Sequence, residues 1–423
     1  MDKRLIFHRP DIAIRLTAAL IGDDPLNQSG HSGLFLAAPR RTGKSTFLRS
    51  DLIPAIEAAG AIAVYVDLWT DKTRNPADLI AEAVRDKLSS LACLLGKSSS
   101  WLGRVKKASA KAKFSGFEAE LGFEIDTVGK PGGATLAKAF EGLRAATGKQ
   151  IVFIIDEAQH ALSTTEGEST LFALKAARDA LNLTSDRPGL AILATGSMRS
   201  KLSDLVMRKN QAFYGASVAE FPMLGKDFVC HLLRSMLLHR FPEEQLPDAD
   251  SVMQAFKRLG YRPEELAKAI ADAVTRPEAD LSAAVEAAAQ ARYVAIVERL
   301  HKQVANFPAI QRSIVHRLAA TAVVQGATPT PLFSKESLDW YSRDIGGMKV
   351  TAPMVQKAME ALVADEIVWR SSLGGYQLDD ELMAEVVFAG GLGTLNQQQS
   401  RKAMPSLEPT RRRAFGRPQK RTP

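Results

Sequence analysis

Five short apolar runs stand out in the first 221 residues: "GLFLAA" (33–38), "AIAVYVDL" (61–68), "QIVFIIDE" (150–157), "LAILATG" (190–196) and "ASVAEF" (216–221). Segments with helical spacing separate them. Strands buried on both faces read as near-continuous apolar runs, and helices between them supply crossovers, so the pattern predicts a largely parallel α/β sheet. One stretch, 96–133, interrupts the alternation. It opens as the basic "GKSSSWLGRVKKASAKAKF", alternates through "FSGFEAELGFEID" and closes on "GKPGG", which predicts a linker followed by a hairpin or two short strands inserted before the third core strand.

From 225 onward the strand pattern gives way to helical spacing punctuated by Gly and Pro, as in "DFVCHLLRSMLLHRF" and "PEELAKAIADAV". Residues 307–389 then read as three helices and two apolar pieces around "SSLGG", the pattern of a winged helix-turn-helix. The expected organisation is an α/β domain over 1–224, a helical domain over 225–304, a winged helix over 305–390 and a basic, disordered tail over 391–423.

Composition alters this picture little, with 46% hydrophobic and 24% charged residues, ordinary for a globular chain. No apolar run approaches the roughly 20 residues that span a bilayer, and the start lacks an apolar signal core, so a cytoplasmic protein without membrane partners is expected. Cys93 and Cys230 lie far apart without ligand neighbours and are expected to pack rather than to bridge or hold zinc. The charge of +8 is concentrated: residues 401–423 carry +7, leaving +1 for the other 400. A basic tail on a neutral body could bind nucleic-acid phosphates or simply be solvated.

Chemistry enters at the first strand. Residues 38–45 match G-x-x-x-x-G-K-[ST] at every fixed position except the first, which is Ala38. Backbone N–H groups along Ala38, Pro39, Arg40, Arg41, Thr42, Gly43, Lys44, Ser45 and Thr46 would cradle phosphates at a helix N-terminus. Lys44 would neutralise the β/γ-phosphates, and Ser45 would offer a hydroxyl to Mg²⁺. Because Ala38 precedes Pro39, an extended backbone with negative φ is expected there, and alanine is then acceptable.

The third strand ends in adjacent acids, Asp156 and Glu157. Downstream of a phosphate loop, Asp156 is expected to hold the Mg²⁺ shell and Glu157 to polarise the attacking water. Thr195, closing the fourth strand, and more weakly Ser197 are candidates to reach the γ-phosphate or that water. Arg262 in "RLGYRPEEL" opens a helix of the second domain and could lean across to the nucleotide, or be a solvated first-turn charge.

Through "APRRTGKST", "YVDLW", "FIIDEAQ" and "ATGS", the first 300 residues resemble the P-loop ATPases of the AAA+ and STAND groups, particularly the archaeal-type and initiator-like members. The resemblance implies a five-stranded sheet in the order 5-1-4-3-2, a helical lid, often a C-terminal winged helix, and ATP and Mg²⁺ as cofactors. Where relatives often read "Y-G-R" before the fifth strand, this chain reads "FYGAS", with Ala216 at the arginine-finger position, which puts a finger in doubt, and Arg199 and Arg208 are either substitutes or ordinary surface charges. A homo-oligomer is compatible with that pattern. The third helix of the winged helix offers Gln356 and Lys357 but also Glu360, Asp365 and Glu366, and the wing offers Arg370, a thin basic footprint for double-stranded DNA. Two readings therefore stand: an ATPase whose nucleotide state governs engagement of DNA or a protein partner, and a nucleotide-gated recruitment module with negligible hydrolysis. A P-loop kinase is disfavoured, since the Asp-Glu pair points to water as acceptor.

Overall fold

The computed structural model describes residues 5–22, 32–38, 41–71, 73–95, 118, 121–183, 188–197, 202, 205–207, 209–275, 280–324, 331–365, 367–370 and 376–391. Its core sheet contains β1 (Leu34–Ala37), β2 (Ile62–Asp67), β3 (Ile151–Asp156), β4 (Leu190–Gly196) and β5 (Ser217–Glu220). The order is β2-β3-β4-β1-β5 and every pairing is parallel, so the predicted 5-1-4-3-2 sheet is found. Each apolar run of the sequence lies within a residue or two of its strand.

Period-two alternation assigns the strand side chains to two cores. From β3, Ile151, Phe153 and Ile155 face one layer, built by α3 (Pro76–Leu95), α4 (Leu136–Thr147) and α5 (Thr165–Asn182). Val152 and Ile154 face the other, where α1 (Pro10–Ile21) and α2 pack. Helix α2 follows the loop after β1 and runs as Lys44–Phe47, a π turn Leu48–Leu52, and Ile53–Ala58. Strands buried on both faces leave their ends open to a ligand, and such sheets bind at the C-terminal ends.

The hairpin expected from "FSGFEAELGFEID" is not found among the described residues 121–127. Gly122 at φ 71 breaks the extended run, and Ile125–Thr127 forms a 3₁₀ turn. Its alternate apolar side chains, Leu121 and Ile125, instead join the core that α3 and α4 build. The basic stretch 96–117 lies outside the described residues. Cys93 is exposed and Cys230 half-buried, so the packing role expected of both is corrected for Cys93.

Beyond β5 come α6 (Lys226–Leu237), α7 (Ala249–Arg258), α8 (Pro263–Val274) and α9 (Leu281–Ala305). Asp248 and Asp280 cap α7 and α9 by accepting from Ser251 N and Ser282 N. Helices α10 (Ala309–Val324), α11 (Lys335–Asp344) and α12 (Ala352–Ala364) precede an antiparallel pair, β6 (Val368–Arg370) and β7 (Tyr376–Leu378). This is the three-helix and hairpin order read from the sequence. Helix α13 (Glu381–Gly391) follows, packing on α9 and α10, and had no counterpart in the sequence reading. One continuous apolar core runs from Leu224 through Val387, so no break in packing marks the boundary drawn at 304/305. Residues 392–423, including the basic tail, lie outside the described residues. No described helix is long and apolar enough to cross a membrane.

Candidate active site

The loop after β1 and the first turn of α2 line a cavity of about 530 Å³ at the C-terminal edge of the sheet. Arg41, Gly43, Lys44, Ser45 and Thr46 form its floor, while Asp67 and Trp69 after β2 and Glu157 after β3 form one wall. Leu5, Ile6, Phe7 and Arg9 bring in the N-terminal segment, and Leu224, Phe228, Pro263 and Glu264 close it from the helical region. Pro39 and Arg40 lie outside the described residues; Thr42 is buried.

Positive φ among the described non-glycine residues falls on Arg41, Glu157 and Tyr261. Ala38 is not among them; it is fully buried, and its N–H donates to Gly196 O at 3.2 Å. The left-handed positions in the described part of the loop are Arg41, at φ 65, and Gly43, at φ 83, which caps α2 and turns the chain into it. The departure at position 38 therefore carries no backbone strain.

Lys44 is 5% exposed, and its Nζ lies 2.9 Å from Glu157 Oε1. Glu157 leaves β3 in the left-handed region (φ 55, ψ 45), which swings its side chain toward the loop and away from that of Asp156. Its other oxygen, Oε2, accepts from Ser197 N at 3.1 Å, Ser197 Oγ at 2.7 Å and Gln159 Nε2 at 2.6 Å. Burial opposes ionisation of Glu157, but the Lys44 charge and these hydrogen bonds outweigh it and hold the carboxyl down at about 2. So held, Glu157 is a weak base.

Asp156 is fully buried. Its Oδ1 accepts from the Thr195 hydroxyl and its Oδ2 from Tyr65 at 3.1 Å. Thr195, read as a phosphate or water contact, is here directed at Asp156 and does not line the cavity. Burial, with the Asp156 charge second, pushes the Tyr65 phenol up, so it stays a proton donor to Asp156 across the physiological range. Arg262, at the N-cap of α8, turns away from the cavity and donates from Nη2 to Asp380 at 2.7 Å, although its neighbours Pro263 and Glu264 line the wall. Ala216 is half-buried just before β5; Arg199 and Arg208 lie outside the described residues.

The donor set suits a hard divalent cation carried in on phosphates. Ser45 and Asp67 offer oxygens at the cavity, and Mg²⁺ needs one or two protein ligands beside phosphates and water; Asp156, fully buried and outside the lining, keeps a lone pair on each oxygen and would meet the metal only through water. No cluster of three or more His, Cys, Asp or Glu able to hold a metal occurs among the described residues.

Sequence reading missed two parts of this site. The N-terminal segment is tied in by Asp51, in the π turn of α2: its Oδ1 lies 2.6 Å from His8 Nδ1, and its Oδ2 accepts from Arg9 N. The Arg9 guanidinium stacks over Phe47 and Phe221 and donates to Pro222 O at 2.7 Å. Gln159 is the other omission. Its nearness to the acid pair in sequence was visible, but its convergence with Ser197 on Glu157 was not.

No family model matches the chain, and no curated protein sequence matches it. Among solved structures, the chain resembles a Walker-type ATPase of Pyrococcus abyssi, with a TM-score of 0.53 at 18% identity, covering 90% of this chain and 96% of that one. It also resembles the ORC2 protein of Aeropyrum pernix in its ADP form, with a TM-score of 0.52 at 13% identity over 95% and 98% of the two chains. An ADPNP-ADP form of the same protein gives 0.51 at 13%. The fold is thus shared with these two archaeal proteins over nearly the whole chain.

Proposed function

We propose that the chain is a Mg²⁺-dependent ATPase that couples its nucleotide state to engagement of DNA or a protein partner by its C-terminal region. The observation that carries this reading is the ion pair of Lys44 and Glu157 on the wall of the loop cavity. Both groups required for phosphoryl transfer to water, a phosphate-neutralising cation and a carboxylate base, meet there. The ADP and ADPNP forms of the ORC2 structures add support for a nucleotide at this fold position.

The β- and γ-phosphates would lie on the Gly43–Thr46 turn with Lys44 neutralising them, and the base would rest against the apolar Leu5–Phe7 segment and Phe228. Ser45, and Asp156 through water, would hold Mg²⁺, which supplies charge neutralisation on the phosphates when bound. Phosphate and Glu157 compete for the same ammonium. As Lys44 turns to phosphate, Glu157 loses the charge that holds its pKa down, becomes a stronger base, and can take a proton from the attacking water. We retain the division at 1–224, 225–304, 305–390 and 391–423 as the working organisation.

The second reading, a nucleotide-gated module, draws on the same ion pair, because a Glu157 that stays on Lys44 would not act as a base. Steady-state phosphate release separates the two. Wild type turns over and Glu157→Gln binds ATP without turnover if the enzyme reading holds; wild type without turnover, even with duplex DNA, rejects it. Stimulation by DNA that fades across a salt series identifies DNA as partner, and indifference to DNA favours a protein target.

A further inference from the structure

We propose that Gln159 and Ser197 are positioning residues that divide the Glu157 carboxylate into an anchored oxygen, Oε2, and a working oxygen, Oε1, which receives the proton of the attacking water once Lys44 has moved to phosphate. The inference rests on the hydrolytic reading above. Oε2 accepts three hydrogen bonds, from Ser197 N at 3.1 Å, Ser197 Oγ at 2.7 Å and Gln159 Nε2 at 2.6 Å. A carboxylate oxygen offers about two lone-pair sites, so Oε2 is saturated and has no place for a water. Among the described residues, Oε1 is held by Lys44 Nζ at 2.9 Å. Since the other task of Lys44 is to meet phosphate, the arrival of the substrate is also the event that bares Oε1.

Without an anchor, the carboxylate would follow the lysine. Glu157 sits at φ 55, a backbone conformation that a non-glycine residue keeps only where its surroundings enforce it. The anchors are built for that purpose. Gln159 is 2% exposed on the 3₁₀ turn after β3, and Ser197 is 4% exposed directly after β4, so the clamp joins two paired strands at the centre of the sheet. Gly196 makes the room: a Cβ there would lie 2.6 Å from Gln159 Oε1. That amide oxygen is itself buried without a partner among the described residues. An unsatisfied buried acceptor is a cost that an apolar side chain of similar size would avoid, so the residue is explained by what its NH₂ group holds.

In the step so assigned, the water oxygen bonds to the γ-phosphorus as the bridging P–O bond breaks, its electron pair leaving on ADP. The water proton passes to Oε1 and then to solvent. Neither Gln159 nor Ser197 lines the cavity, and in this assignment both act through Glu157.

The test compares wild type, Glu157→Gln, Gln159→Leu, Ser197→Ala and the double variant Gln159→Leu/Glu157→Gln in the full chain, measuring kcat, KM and ADP Kd. Gln159→Leu should lose about tenfold or more in kcat, within the range for a misplaced general base, with ADP Kd within about twofold of wild type. Ser197→Ala, which keeps the backbone donor, should lose less. The double variant should be no slower than Glu157→Gln alone, because the anchor has no other route to the reaction. A Gln159→Leu kcat at or above wild type, or a loss that adds to that of Glu157→Gln, overturns the proposal; Ser197→Ala decides the same question if Gln159→Leu does not fold. Wild type without turnover, or Glu157→Gln as active as wild type, removes the hydrolytic reading itself and is recognised separately.

Discussion

Replacing Glu157 by Gln tests the competition for Lys44 by a stability measurement that requires no turnover. Lys44 and Glu157 are 5% and 15% exposed, so their attraction is little screened by water. A carboxyl with an ordinary value of 4.5 that sits at about 2 contributes roughly 3 kcal/mol to folding at neutral pH. The sign follows from the direction: a depressed carboxyl stabilises fully above about pH 4.5, and this contribution is lost as pH falls through about 2. Glu157→Gln removes it and leaves a buried ammonium without its counter-charge, so without nucleotide the variant should be about 3 kcal/mol less stable at pH 7. For a domain of about 200 residues that is roughly 6 to 12 °C in Tm. Saturating ADP restores a counter-charge to Lys44, so the Tm increase on adding ADP should be larger in the variant than in wild type. Thermal melts of both proteins with and without ADP, at pH 7 and in steps below pH 4.5, read all three effects. A variant that melts within a degree of wild type at pH 7 and gains no more from ADP would refute the competition.

Gly43→Ala should weaken nucleotide binding in a titration by about five- to thirtyfold without unfolding the chain: the left-handed backbone costs alanine about 1 to 2 kcal/mol, while the nearest atom to its Cβ is Leu224 Cδ1 at 3.8 Å, so strain and not collision is responsible. Asp51→Ala unfastens Leu5–Phe7 from α2 and should weaken ADP binding several-fold in Kd, with catalysis at saturating ATP nearly unchanged. Arg262 and Asp380, 13% and 33% exposed, should show a coupling of about 1 to 2 kcal/mol in a thermal double-mutant cycle; a coupling near zero would mean that α8 and the start of α13 are held by packing alone.

How much of this was legible beforehand depended on whether a feature is local. The five strands were, because burial on both faces forces runs such as "IVFIID", and the turn from β1 into α2 was, because its spacing is set by backbone geometry over eight residues. The doubt attached to Ala38 also resolved locally. What failed were short patterns with two physical outcomes. The alternation around Leu121 and Ile125 suits a strand or a turn laid on a helical layer, and packing against α3 and α4 decided for the turn. Arg262 opening a helix was equally compatible with reaching a nucleotide or another part of the chain, and Asp380, 118 residues on, settled its direction in this structure.

The sequence alone determined the fold class, the position of the loop after β1 and the candidacy of Lys44, Ser45, Asp156 and Glu157, since periodicity and motif spacing are properties of neighbouring residues. Only the tertiary structure decided what those groups meet. Parallel pairing of β3 with β4 brings Ser197 to Glu157 across 40 residues, and pairing of β2 with β3 brings Tyr65 to Asp156 across 91. The closure of the cavity by Leu5–Phe7 likewise depends on Asp51, more than 40 residues away. Contacts of this range arise from how the sheet is ordered, and no local pattern encodes them.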